Sequence, residues 1–171
     1  LRRTDAASIR WADVDLEKRY IHRPNPKGGE RCAFNLPLSQ PLIDLLQRRR
    51  EHNEPFFCGS PYVFPAASRS GHLDEGKLSA KEGRSLPITW YPHMLRHTFI
   101  THAENEIGVP TSHVRALTNH TLPKPKDAHA GYVHLHFRHL AASQEKISSW
   151  FMAQLWPGES GDNVVPLKSA G

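Results

Sequence analysis

Apolar residues recur along this chain at two spacings, alternate positions in some stretches and every third or fourth in others, which predicts short strands among helices. Thr4 to Trp11 fit a helix, with Ala6, Ala7 and Ile9 available to a core and Asp5 near the positive N-terminal end. Arg2 then sits at or just before the first turn. Residues 18–23 and 31–38 read as two strands, and the Pro and Gly residues of Pro24-Asn25-Pro26-Lys27-Gly28-Gly29 make the turn between them. Lys27 is thereby placed at the tip of a β-hairpin. Ser39 as N-cap and Pro41 in the first turn start a helix whose apolar stripe is Leu42, Leu45 and Leu46. Arg48, Arg49 and Arg50 close it at its negative end.

Tyr62-Val63-Phe64 is a short strand or buried segment, and residues 66–86, rich in Ser, Gly and charge without periodicity, read as a mobile loop. A helix from about His93 to Ile107 carries Leu95, Phe99, Ala103 and Ile107 at four-residue steps and is stopped by Gly108 and Pro110. On that spacing Leu95 and Phe99 form the core face, and His93 and Arg96 lie on the neighbouring one. Thr111 or Ser112 caps a short helix through Leu117, which Asn119 ends in a left-handed turn, so that His120 leads the loop beyond. Pro123 and Pro125 keep that loop from being helical. Phe137, Leu140, Ala141, Ile147, Phe151 and Leu155 mark a last amphipathic helix ended by Pro157-Gly158. Residues 157–171 look like a disordered tail, and no internal repeat is visible.

The chain of 171 residues is long enough for one core of ordinary size, so one domain is expected. It opens on Leu1-Arg2-Arg3 and reads as though it enters mid-helix, as a fragment of a longer protein would. A formal charge of +5, with 12 His in reserve and a pI near 9.4, favours an anionic partner such as nucleic acid over a merely basic soluble protein. Cys32 and Cys58 are too few for a disulfide framework, which makes a reducing, cytoplasmic location the default. No apolar stretch approaches the roughly 20 residues needed to cross a bilayer, and no signal-like segment opens the chain, so no membrane partner is expected.

His93 and Arg96, three residues apart, fall on one side of their helix, where they can grip a single phosphate. With Arg2 upstream and His120 and Tyr132 downstream, the set points to phosphoryl transfer through a tyrosine nucleophile without a metal. Cleaving a phosphodiester that way needs a nucleophile, cations against the non-bridging oxygens and an acid for the departing oxygen. Arg2 and Arg96 suit the clamp because a guanidinium offers two parallel charge-assisted bonds. Lys27, leaning from a flexible tip, suits the acid if nearby cations lower its pKa. Each residue also has an ordinary reading: Arg2 and Arg3 as a solvated basic pair, Lys27 as a turn lysine, Arg96 in a surface ion pair, His120 as a helix-ending residue, Tyr132 as a core tyrosine. A His-rich metal site from His93 and His97, or from His134, His136 and His139, is a further alternative. Against it, position 94 is Met where a metalloprotease helix has Glu, and no Cys or carboxylate completes a ligand set.

Five segments together resemble the tyrosine recombinases, or phage integrases. Leu1-Arg2-Arg3-Thr4-Asp5 with Ile9-Arg10-Trp11-Ala12-Asp13-Val14-Asp15 is similar to the family's first catalytic-arginine segment, and Pro26-Lys27-Gly28-Gly29-Glu30-Arg31 with Leu36-Pro37-Leu38 to its hairpin lysine. His93-Met94-Leu95-Arg96-His97-Thr98-Phe99 resembles its HxxR box, Leu117-Thr118-Asn119-His120 its third-position histidine, and Ala130-Gly131-Tyr132-Val133-His134 its tyrosine segment. The resemblance covers residue 1 to about residue 155. It implies a mainly helical α+β catalytic domain over residues 1–156, with a small antiparallel sheet on one edge and residues 157–171 as a flexible tail. It further implies a site-specific recombinase or integrase of the kind found in mobile elements. Tyr132 would attack the scissile phosphate to give a 3′-phosphotyrosyl link, Arg2, Arg96 and His120 would bind its non-bridging oxygens, Lys27 would be the general acid, His93 would assist proton transfer and Asp5 would orient a neighbour. The family's reaction uses no cofactor, metal or ATP, because the bond energy is kept in the phosphotyrosine. Its partners are double-stranded DNA and three further copies, making a tetramer, and its location is cytoplasmic, with the nucleoid in bacteria. A binding module that has lost catalysis is the alternative on the same fold, though all five motif positions hold reactive residue types. The sequence departs from the family in two places: Leu122 to Lys126 lengthens the stretch between His120 and Tyr132, and the family's glycine-rich lead-in to the first arginine is absent, so Arg2 rather than Arg3 is assigned by its spacing to Asp5 and Trp11.

Overall fold

The computed structural model describes residues 1–26, 29–73, 92–120 and 135–157. Helix α1 spans Arg3–Ala7, shorter than the helix to Trp11 that the sequence predicts. Ile9 and Arg10 run extended instead, because the segment some fifty residues later claims their backbone: Val63 N–H donates to the Ile9 carbonyl oxygen and Trp11 N–H to that of Pro61, both at 2.9 Å. Tertiary pairing overrides a weak helical preference here, and it buries Ile9 to 4 % exposure.

A three-stranded antiparallel sheet follows, β1 (Val14–Asp15), β2 (Tyr20–Arg23) and β3 (Phe34–Pro37), in that spatial order. Both expected strands are shortened: β2 keeps the last four residues of 18–23, and β3 four of the eight in 31–38. Arg19, at φ 59°, turns the chain before β2, and Glu30–Cys32 form a single 3₁₀ turn before β3. Strand β1, two residues long, offers no periodicity to read. Ile21 pairs with Leu36 and Arg23 with Phe34, and Ile21 and Arg23 are both buried while His22 between them is exposed and meets Asn35 across the strands at 2.7 Å. The hairpin tip, with Lys27, lies outside the described residues.

Helix α2 runs Gln40–Phe57, two turns beyond the arginine triplet expected to close it. Its inward residues are Ile43 and Leu46, with Leu42 half-buried, whereas Leu45, placed on the stripe by the sequence, is 52 % exposed. Ser39 is its N-cap residue and Pro41 lies in its first turn, as expected, but the Ser39 hydroxyl donates to Ser148 Oγ at 2.7 Å and makes no capping bond. The Glu145 carboxylate does that work, accepting the Gln40 N–H at 3.0 and 3.3 Å and a bond from Arg19 at 3.3 Å. An anion at a helix N-terminus is favourably placed. Two of the triplet are taken up within the chain: Arg49 Nε donates to the Val63 carbonyl oxygen at 3.3 Å and the Arg50 guanidinium lies over the Trp11 ring at 5.2 Å. Val63 is fully buried, as the reading of 62–64 anticipates. Residues 66–73, expected to be part of a mobile loop, instead form a hydrogen-bonded turn, with Leu73 N–H on the Phe64 carbonyl oxygen at 3.0 Å and Ser68 Oγ on that of His72 at 2.6 Å.

Helices α3 (Pro92–Asn105), α4 (Thr111–Leu117) and α5 (Phe137–Leu155) make the second half. Gly108, at φ 70°, turns the chain between α3 and α4. Pro110 is the N-cap of α4, and neither Thr111 nor Ser112 caps it through a side chain. Among the described residues the buried apolar side chains gather in two clusters. Ile9, Ile21, Leu38, Ile43, Leu46 and Val63 form the first, Ala103, Ile107, Val109, Val114, Leu117 and Ile147 the second, and Leu36 of β3 packs against both. Helix α5 joins the halves by packing on α2, α4 and β3. The mainly helical α+β architecture with a small edge sheet is the one the sequence predicts.

Candidate active site

Arg96 is the buried residue at the head of α3, with 9 % exposure, and Leu95 beside it is 61 % exposed. Leu95 and Arg96 thus exchange the faces expected for them, whereas Phe99 packs inward and His93 lies outside as expected. Four-residue steps drift around a helix of 3.6 residues per turn, and the stripe that packs inward carries Phe99, Ile100, Ala103 and Ile107, with Arg96 in line above them. Burial of a guanidinium requires a partner. Arg96 Nη2 donates to the Thr118 carbonyl oxygen, one of the acceptors that the end of α4 leaves without an intrahelical bond.

The same helix end presents His120. Asn119 adopts φ 50°, as its sequence context predicts, and the chain closes on itself with Asn119 N–H on the Ala116 carbonyl oxygen at 3.0 Å and His120 N–H on that of Arg115 at 2.9 Å. This is the paired-bond helix end that a left-handed residue permits. The Thr118 hydroxyl folds back on the Val114 carbonyl oxygen at 2.7 Å. Arg96 and His120 are therefore referenced to one piece of backbone.

Between the two clusters lies a cleft of about 510 Å³, walled by Leu36, Leu42, Leu95, Phe99 and Leu117 and bordered by Arg2, Arg3 and Arg96. Arg2, the N-cap of α1, is half-buried. Its charge reaches across the cleft: the Arg96 pKa is drawn down by desolvation and then by Arg2, with Asp5 opposing. The His120 imidazole is held below its usual value by desolvation first, then by Arg96, Arg2, Arg115 and His93. Arg3 lines the same cleft. Among the described residues, the only ion pairs within 4.0 Å are Lys18 with Asp15 and Arg19 with Glu145, so no carboxylate neutralises Arg2 or Arg96 at contact.

Arg2, Asp5, His93, Arg96 and His120 are thus brought within one electrostatic neighbourhood. His93 is exposed, with its ring edge-on to His97 at 4.7 Å between centroids. Lys27 and Tyr132 lie outside the described residues. Sequence reasoning passed over Arg115, whose charge bears on His120, and Arg23, a buried cation whose alternation with Ile21 was its only signal. Among the described residues no group of three or more His, Cys, Asp or Glu is arranged to hold a metal ion, and no helix is long and apolar enough to cross a membrane.

The sequence model of the phage integrase family fits residues 1–139, and the chain belongs to that family. Its curated relatives include the tyrosine recombinase XerA of Pyrococcus furiosus, 30 % identical over 131 residues, a match covering 70 % of this chain and 42 % of the relative. The prophage integrase IntF of Escherichia coli is 29 % identical over 160 residues, covering 88 % of this chain and 32 % of the relative. XerA of Pyrococcus horikoshii is 28 % identical over 128 residues, covering 70 % and 42 %. The chain therefore spans less than half the length of the curated relatives it matches. No solved structure matches it.

Proposed function

We propose that residues 1–156 are the catalytic domain of a site-specific DNA recombinase that cuts and rejoins strands through a 3′-phosphotyrosyl intermediate, with residues 157–171 as a tail. The observation that carries this reading is the buried Arg96 guanidinium, sharing a cleft with Arg2, with no contacting carboxylate among the described residues, and bonded to the helix end that presents His120. Two cations held together in a partly desolvated place are costly unless an anion joins them, and a phosphodiester supplies that anion.

In the proposed step the Tyr132 phenolic oxygen attacks phosphorus, the bond from phosphorus to the 5′ oxygen breaks, and the 3′ side of the strand remains on the tyrosine. His93 assists removal of the phenolic proton, and Lys27 supplies a proton to the departing 5′ oxygen. Arg2 and Arg96 meet the non-bridging oxygens, where charge builds in the transition state, and Asp5 orients the Arg2 side of the cleft. Burial and then the neighbouring cations favour the neutral form of His120, which still carries one ring N–H to donate to the same oxygens. A 5′ hydroxyl from a second strand reverses the step. One phosphodiester is exchanged for one phosphotyrosyl ester of similar energy, so rejoining draws on no ATP, and the named side chains cover every role in the step without a cofactor.

The partners of this reading are double-stranded DNA and further copies of the protein, four on two duplexes during exchange. The relatives, a tyrosine recombinase and a prophage integrase by name, support the same activity class. The test compares the protein with its Tyr132→Phe variant on a nicked DNA substrate that cannot be religated. Equal binding, with a covalent adduct formed by the parent protein alone, is expected. An adduct from the variant would remove Tyr132 as nucleophile, and binding without an adduct from either would mark a DNA-binding module.

A further inference from the structure

Arg23 ends β2 and is 6 % exposed, on the inner side of the strand in line with Ile21. Its Nη2 donates to Ser8 Oγ at 3.1 Å, and the Ser8 hydroxyl in turn donates to the Asp5 carbonyl oxygen at 3.5 Å. Its Nε is buried with no hydrogen-bond partner, and no carboxylate lies within ion-pair distance among the described residues. A valine or isoleucine would continue the inner face of the strand at far lower desolvation cost. What the guanidinium supplies, and an apolar residue does not, is a directed bond to Ser8.

Ser8 is the C-cap of α1, and Arg2 is its N-cap, accepting the Ala6 N–H at 2.9 Å. This helix has five residues and buries none of them. A single turn and a half is unstable alone and takes its position from whatever holds its ends. Ile9, just beyond, is held by the core, and the Arg23 bond fixes the last residue of the turn itself.

We infer that Arg23 is a positioning residue for Arg2: through Ser8 it anchors α1 to the strand leading into the Lys27 hairpin, so that Arg2 meets the same phosphate as Arg96. This inference rests on the phosphate-binding role proposed for Arg2. Its signature is a loss confined to the cleavage rate constant at saturating DNA and absent once Arg2 is gone. Arg23→Met should slow adduct formation on the nicked substrate by on the order of tenfold or more, as small misplacements of a catalytic group do, while DNA affinity and the final yield of adduct stay near those of the parent protein. Arg23→Lys, which keeps one donor within reach of Ser8, should recover much of the rate. Ser8→Ala, which leaves the strand intact, should slow cleavage in the same way. The Arg2→Ala/Arg23→Met double variant should be no slower than Arg2→Ala alone, since the two act as one unit. A parental rate for Arg23→Met or for Ser8→Ala would overturn the inference, as would losses that multiply in the double variant. A fall in adduct yield at unchanged rate would reduce Arg23 to a folding role and overturn it also. A parent protein that forms no adduct at all would instead overturn the recombinase reading, and the Arg23 inference with it.

Discussion

The two walls of the cleft hold their arginines by different means. Arg96 stands on a 14-residue helix, is itself buried, and bonds to the backbone end of the next helix, which also presents His120. Arg2 caps a five-residue helix with no fully buried residue, held by Leu1 on the first cluster at one end and by the Arg23–Ser8 bond at the other. One wall is built into the core, and the other is attached to it. The same charge is therefore tied to fold stability on one side and largely separable from it on the other.

The largest effect that sharpens this contrast is that of Arg96→Ala. Loss of one charge-stabilising donor should cost roughly 3 kcal/mol of transition-state stabilisation, and the orphaned Thr118 carbonyl should lower folding stability by about 1–3 kcal/mol as well. Arg2→Ala should impair cleavage comparably in kinetic assays while leaving thermal unfolding nearly unchanged. Equal losses of stability in the two variants would break the contrast.

Removing a core residue tests the wall behind Arg96. Ile147→Ala, at the fully buried centre of the second cluster, should destabilise by about 2–5 kcal/mol in denaturant titration and weaken cleavage only through the folded fraction. A smaller loss is expected at Asn119, where φ is 50°. Asn119→Ala should cost about 1 kcal/mol by chemical unfolding, whereas Asn119→Gly should be nearly neutral. If Ala and Gly behave alike there, the left-handed helix end is not what holds His120.

The mildest effect is the pH response of His120. Its pKa is lowered in the folded protein, so the unfolded chain binds a proton first as the pH falls. Any stability linked to the neutral ring is complete above its ordinary value near 6.5 and is lost as the pH drops through the lowered one. NMR titration should show a His120 midpoint below 6.5, and His120→Asn should flatten the acid side of the stability profile. A midpoint above 6.5 would mean that an anion, not cations, dominates its surroundings.

Much of the fold is legible in the sequence, and what escapes does so for physical reasons. Asn119 and Gly108 announced their turns, since few residues accept a positive φ, and α5 ran over the stretch its period marked. The inward face of α3 was misjudged because apolarity cannot select a buried charge: Arg96 is inside only because α4, more than twenty residues away, offers it a carbonyl. The capping of α2 escaped for a similar reason, Glu145 reaching Gln40 over 105 residues of chain. Ile9 and Arg10 left the helical path for a partner segment at residues 61–63. Local patterns were legible, and bonds closed between distant segments were not.

The central claim is that Arg2 and Arg96 hold one DNA phosphate for attack by Tyr132. Its most direct test is covalent trapping of the protein on a nicked duplex, followed by peptide mapping of the attached residue. A 3′-phosphate joined to the peptide containing Tyr132 is the expected result, lost or greatly slowed when either arginine is replaced by alanine. Attachment at another residue, or full trapping by both arginine variants, would contradict it.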